Sequence, residues 1–163
     1  MQVNARTFRN ALGCFSTGVT VITVHGGDEP HAMTANAVSS VSLEPPILLI
    51  CVDHRAKCLE KIQKAGYFGV NVLKNEQLDV SKYFANQKVE GVPSFSFETE
   101  QRKAPFLADA LVNLECHVVR EVEVGDHTVF FGEVHDIKTD EGDPLCFYKG
   151  KYRQLAQLEG EQV

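Results

Sequence analysis

Hydrophobic residues along this chain recur with two different periods. Behind Asn4, a suitable N-cap, Ala5, Phe8, Ala11, Leu12 and Phe15 return at helical spacing and predict a short amphipathic helix over residues 5 to 14. Gly18 ends that pattern, and Val19 to Val24 is β-branched throughout, a strand signature. Gly26-Gly27-Asp28-Glu29-Pro30 reads as a turn that sends the chain back in a hairpin. Ile47 to Val52 is an unbroken apolar run and predicts a strand buried on both faces. A helix from about Arg55 to Ala65 carries the stripe Ala56, Leu59, Ile62 and Ala65, with Gly66 as its stop. Tyr67 to Leu73 is a further strand, and about Glu76 to Ala85 a further helix, with Leu78 and Phe84 turned inward.

Residues 86 to 106 carry no sustained period. Gly91, Pro93 and Pro105 punctuate a polar excursion that holds Phe95, Phe97 and at most one short strand. Beyond it, Leu114, Cys116, Val118, Val122 and Val124 alternate with polar positions. With the Gly125-Asp126 turn they predict a long hairpin over residues 112 to 138. Leu145 to Tyr148 forms a last strand, and a polar tail begins at about residue 157. Hairpins outnumber strand–helix alternations, so the expected fold is mainly β with flanking helices: an antiparallel barrel rather than a doubly wound parallel sheet.

The segment His31 to Leu43 departs from these patterns, being small and hydroxyl-rich between two apolar strands. Two readings fit it: a polar edge strand with its exit loop, or a wall where amides and short hydroxyls approach a bound anion or a flat polar ring. Arg55 and Lys57, at a strand-to-helix passage, divide in the same way between a solvated first turn and a phosphate site.

Composition narrows the function classes. The chain has 163 residues, enough for one domain spanning 1–163 with its own core. Its net charge of −6 argues against backbone-driven nucleic-acid binding and against attachment to anionic membranes. The apolar run at Ile47 to Val52 falls far short of the roughly 20 residues that cross a bilayer, and the N-terminus shows no hydrophobic signal region. Five cysteines, never spaced CxxC, suit free thiols in a reducing cytoplasm. Cys51, His54 and Cys58 lack a matching second pair, so no metal site is expected. No GxSxG elbow, GxGxxG turn or Walker loop is present.

In this order, Phe15-Ser16-Thr17-Gly18-Val19-Thr20-Val21-Ile22-Thr23, Met33 to Pro46, Phe68-Gly69-Val70-Asn71-Val72-Leu73, Leu114-Glu115-Cys116, Gly125-Asp126-His127 and Gly150-Lys151-Tyr152 resemble the flavin reductase family over about residues 8 to 155. The resemblance implies an antiparallel split β-barrel of the FMN-binding type. It implies an NAD(P)H:flavin oxidoreductase that reduces FMN or FAD with NADH or NADPH, usually as a homodimer, and often supplies a separate monooxygenase with reduced flavin. The same fold also serves tightly flavin-bound electron carriers and non-catalytic flavin-binding proteins. By position, the resemblance puts Thr34, Ala35 and Asn36 along the flavin ring and its ribityl chain, and Ser40, Val41 and Ser42 at the ring edge or chain. It puts Asp53, Arg55 and Lys57 in the phosphate-binding turn, Phe84 against the flavin and His127 on the nicotinamide side. Two departures stand out: the turn reads His54-Arg55-Ala56-Lys57 where Ser or Thr is common, and Lys151 stands where arginine is frequent.

Overall fold

The computed structural model describes residues 3–156, so the predicted polar tail lies outside the described residues. Helix α1 (Ala5–Leu12) leads into β1 (Thr17–Gly18), β2 (Thr20–His25), β3 (Pro30–Ala35), β4 (Val38–Leu43) and β5 (Pro46–Asp53). Helix α2 (Cys58–Ala65), β6 (Tyr67–Val72) and helix α3 (Leu78–Phe84) follow, α3 being entered through a 3-10 turn at Asn75–Gln77. The second half is β7 (Phe97–Glu98), β8 (Phe106–Leu107), β9 (Val112–Val124), β10 (His127–Thr139), β11 (Cys146–Tyr148) and β12 (Lys151–Arg153).

The main sheet has seven strands in the order β3-β2-β6-β9-β10-β5-β4. Every pairing in it is antiparallel. β3 and β4 stand at opposite ends of that order, yet only Asn36 and Ala37 separate them in the chain. So short a link reaches roughly 10 Å. The sheet must therefore curl until its two ends meet. They meet through the chain itself, not through a β3–β4 ladder, which is the sense in which this barrel is split. The amide of Cys51 donates to the Ala37 carbonyl at 3.1 Å and ties the seam to β5.

β2 shows why its β-branched run is continuous. Ile22 and Val24 enter one core with Ile50, Val52, Phe68, Val70 and Phe130, roofed by Cys58 and Ile62 of α2. Val19, which precedes the strand, and Val21 enter a second core with Leu73, Val80, Leu107 and Leu145. Between the two lies a buried polar knot. The Asn71 amide donates to the Val21 carbonyl at 2.8 Å and to Thr23 Oγ1 at 3.1 Å. Its oxygen accepts from the Leu107 amide at 2.9 Å and from Asn113 Nδ2 at 2.8 Å. All four hydrogen-bonding positions of the side chain are filled, which is what permits a polar residue there.

Three expectations are corrected in detail. α2 begins at Cys58, not Arg55, because the Asp53 carboxylate accepts the Arg55 amide at 2.8 Å and winds residues 53–56 into a tight turn first. Gly66 does end it, with φ 70, a conformation glycine adopts without strain. β5 is buried on one face only: Leu48, Ile50 and Val52 are inside, whereas Ile47, Leu49 and Cys51 are half-buried on the other face. Likewise α1 forms where periodicity places it, capped by Asn4 Oδ1 accepting from the Thr7 amide at 2.9 Å, but buries none of its residues. The polar segment 31–43 proves to be two strands, one on each side of the seam.

Candidate functional site

A cleft of about 650 Å³ opens along this seam. Met33, Thr34, Ala35, Asn36 and Ala37 form one wall as β3 ends, and Cys51 of β5 lies across from them. One rim is Asp53, Arg55, Ala56 and His127; the other is Phe84, Ala85 and Asn86 at the end of α3. Four of these residues are alanine, so the walls let a flat ring come close to the backbone. The volume falls within the range of small-molecule and cofactor sites.

The charged rim is held together by hydrogen bonds within the chain. Asp53 Oδ1 accepts from Arg55 Nε at 3.0 Å, and Oδ2 from Arg55 Nη2 at 2.6 Å. The side-chain hydrogen bonds of Arg55 hold the Asp53 carboxyl well below the usual carboxylate range. The guanidinium is thus aimed by its neighbour while 89% exposed, with Nη1 outside the pair. Across the β5–β10 ladder, His127 pairs with Asp53, and its Nδ1 lies 2.7 Å from Asp126 Oδ1. That hydrogen bond lowers the pKa of Asp126.

Two side chains in or beside the cleft have other work. The Thr34 hydroxyl donates to the Ser81 carbonyl at 2.6 Å, and Ser81 Oγ lies 3.0 Å from the Tyr152 hydroxyl. Thr34 therefore anchors α3 against β3, leaving its backbone and methyl to form the wall. Phe84 sits at the edge of an aromatic group, its ring 4.9 Å from Phe95 and 6.1 Å from Phe97. This is where the irregular excursion over residues 86 to 106 packs back on the site.

Burial raises the Cys51 thiol, so it stands in the cleft as a neutral group. Burial pushes Cys58 and Cys116 up to about 12, and neither serves as a nucleophile at neutral pH. Among the described residues, no three His, Cys, Asp or Glu side chains stand close enough to hold a metal, and no helix is long and apolar enough to cross a membrane.

Of the residues singled out in the sequence, Thr34, Ala35, Asn36, Asp53, Arg55, Phe84 and His127 converge on this one cleft. Ser40, Val41 and Ser42 lie on edge strand β4, where a register shift falls between Ser40 and Ser42, and Lys57 is exposed in the turn; these four stand outside the cleft lining. Met33, Ala37, Cys51, Ala56, Ala85 and Asn86 line it without having been singled out. Alternation along the two strands marks Met33 beside Ala35 and Cys51 beside Asp53. Asn86, at φ 54, carried only the faint signal of a residue type that tolerates left-handed backbone at a helix end.

The fold is thus a curled antiparallel sheet of split-barrel type with an alanine-walled cleft at its seam and Arg55 on the rim. Residues 12–156 match the flavin reductase like domain, and the chain belongs to the flavin reductase family. It is 41% identical over 160 residues to an NADH-dependent flavin reductase of a Rhodococcus species, covering 96% of this chain and 90% of that protein. It is 34% identical over 154 residues to HsaB, the reductase subunit of a flavin-dependent monooxygenase of Mycobacterium tuberculosis, covering 93% and 82%. Among solved structures, the flavin reductase PheA2 in its native state superposes with a TM-score of 0.89 at 49% identity, covering 95% of this chain and 100% of that one.

Proposed function

We propose that this protein is an NAD(P)H:flavin oxidoreductase whose seam cleft takes FMN or FAD together with the reduced nicotinamide, and that it delivers reduced flavin to a separate monooxygenase. The observation that carries the reading is the cleft itself: alanine-rich walls with one cation held by Asp53 on the rim and, among the described residues lining it, no activated nucleophile. Hydride passes from nicotinamide C4 to flavin N5, a step for which the protein supplies alignment and electrostatics, not a covalent partner. Arg55, aimed by Asp53, holds the flavin phosphate, and Ala56 leaves it room. The backbone of Thr34 to Ala37 backs the ring and ribityl chain, with Ser40, Val41 and Ser42 beyond the seam toward the ring edge. Phe84 closes one side, and His127 faces the nicotinamide. NADH is a cytoplasmic reductant, and the five free thiols suit that compartment.

The test is NADH and NADPH oxidation by the purified protein with and without added FMN or FAD. Turnover that requires added flavin is expected; no oxidation with either flavin would remove the assignment. His127→Ala is expected to raise the KM for the nicotinamide while changing the flavin KM little. Unchanged kinetics would take His127 out of the nicotinamide site.

The same reading includes a homodimer. Phe15 is 74% and Leu43 93% exposed, Phe8 and Leu12 are also outside, and the outer face of β5 and β10 offers half-buried Leu49, Val129 and Phe131. Apolar surface of this extent is the kind that a partner covers, and a second copy meets the need symmetrically. Light scattering on the eluted protein is expected to give twice the chain mass of 18.1 kDa. A monomer at micromolar concentration would refute it.

A further inference from the structure

The small sheet β1-β11-β12 lies outside the main sheet, yet hydrogen bonds tie it to two parts of the cleft. Asn36 Nδ2, in the wall, donates to Thr17 Oγ1 of β1 at 3.3 Å. The Tyr152 hydroxyl of β12 stands 3.0 Å from Ser81 Oγ, in the middle of α3. Ser81 is fully buried. A serine inside a helix commonly turns its hydroxyl back to a carbonyl of its own helix. This one faces a tyrosine 71 positions further on. The Tyr152 ring is steadied in turn by Phe147, with 5.3 Å between ring centres.

The carbonyl of the same serine joins wall to rim. Its oxygen accepts from the Thr34 hydroxyl at 2.6 Å and from the Ala85 amide at 3.0 Å. A carbonyl oxygen has two lone pairs, and both are taken. Thr34 belongs to the wall and Ala85 to the rim, so a single atom sets the distance between them. Helix α3 has seven residues, too few to hold together alone, and its place depends on ties to its neighbours. Leu78 and Val80 pack it into the second core. Those contacts attract without direction, whereas hydrogen bonds to Ser81 fix how far the helix end stands from β3.

We propose that Tyr152 is a positioning residue of the cleft: through Ser81, its hydroxyl holds the end of α3, with Phe84, Ala85 and Asn86, at the separation from the Thr34 wall that the flavin ring needs. The inference rests on the placement of flavin in the seam cleft. Without the tie, α3 stays packed through Leu78 and Val80, but its end samples wider positions. Only molecules with the rim in place bind flavin at full strength, and the apparent affinity falls with their fraction.

Tyr152→Phe keeps the ring against Phe147 and removes the hydroxyl alone. It is expected to raise the KM for FMN and FAD alike about three- to tenfold, the scale of one neutral hydrogen bond, with kcat at saturating flavin nearly unchanged. It also leaves the buried Ser81 hydroxyl without its partner and so lowers the urea midpoint. Tyr152→Phe combined with Ser81→Ala removes both partners, which should return the midpoint toward that of the unsubstituted protein. The tie stays broken in the double variant, so the raised flavin KM should persist there. A KM that recovers together with the midpoint would reduce Tyr152 to a stabilising contact and overturn the proposal. An unchanged flavin KM in Tyr152→Phe, or a rise confined to the KM for NADH, would overturn it as well. Failure of the unsubstituted protein to oxidise NADH with any flavin would instead refute the placement on which it rests.

Discussion

Replacing Arg55 by alanine is expected to raise the KM for FMN about tenfold, with kcat at saturating flavin nearly unchanged. Two effects act in the same direction. The guanidinium no longer meets the phosphate, and Asp53 loses the partner that holds its carboxyl below the usual range. Asp53 remains ionised at neutral pH as an uncompensated negative charge facing an anionic ligand. Arg55→Lys should recover only part of the loss, since an ammonium cannot match the two-point grip on Asp53 that aims the side chain. The Asp53→Asn variant separates the two effects: it weakens the aim of Arg55 but removes the repulsion, so its KM should rise less than that of Arg55→Ala. Steady-state kinetics with FMN varied at fixed NADH decides the matter. An unchanged KM in Arg55→Ala would move the phosphate elsewhere in the cleft.

Asn71→Leu is expected to destabilise the fold by about 3 kcal/mol or more, although leucine is close in volume and the site is fully buried. The substitution strands the Val21 carbonyl, the Leu107 amide and the Asn113 side chain without the partner each now has. Asn113 still donates to the Leu107 carbonyl at 2.8 Å, but its second proton and the Leu107 amide face apolar surroundings. Because β2, β6, β8 and β9 meet through this one side chain, the loss should appear as a single shifted transition in urea, with the midpoint lowered and the slope unchanged. A loss below about 1 kcal/mol would mean that water replaces the amide in the folded state.

The elements that local pattern dictates were legible in the sequence. The β-branched run at Val19 to Val24, the long hairpin from Val112 to Thr139 and the glycine stop at Gly66 each follow from side-chain chemistry within a few residues. What escaped depends on neighbours distant in the chain. The two-residue pairing of Phe97–Glu98 with Phe106–Leu107 has no periodicity to announce it. The half-buried outer face of β5 could not be told from a buried one, because Ile47, Leu49 and Cys51 are as apolar as the residues that face the core. Of the seven residues that converge on the cleft, Thr34 and Asn36 in the hydroxyl-rich segment and Arg55 at the strand-to-helix passage stand out by residue type, whereas Ala35, Asp53 and Phe84 were found only from the family resemblance, which carries positional information that spacing lacks. Alanines such as Ala37, Ala56 and Ala85 escaped because their contribution is the absence of bulk. Thr34 was legible as a wall residue, but its hydroxyl serves α3 through Ser81, a contact 47 positions away.

The seam carries one more consequence. Each strand inside the sheet is held on both edges, whereas β3 and β4 have a sheet neighbour on one edge and share only the short Asn36–Ala37 tether. A ligand that touches Thr34 to Ala37 on one side and the β5–β10 rim on the other acts as a clasp across the gap. Barrel closure and ligand occupancy are then linked equilibria: whatever free energy the clasp adds to the closed form returns as affinity, and a looser seam weakens binding by the same amount. The seam can open without breaking any rung of a β-ladder, so such a clasp can be made and released with the rest of the sheet intact.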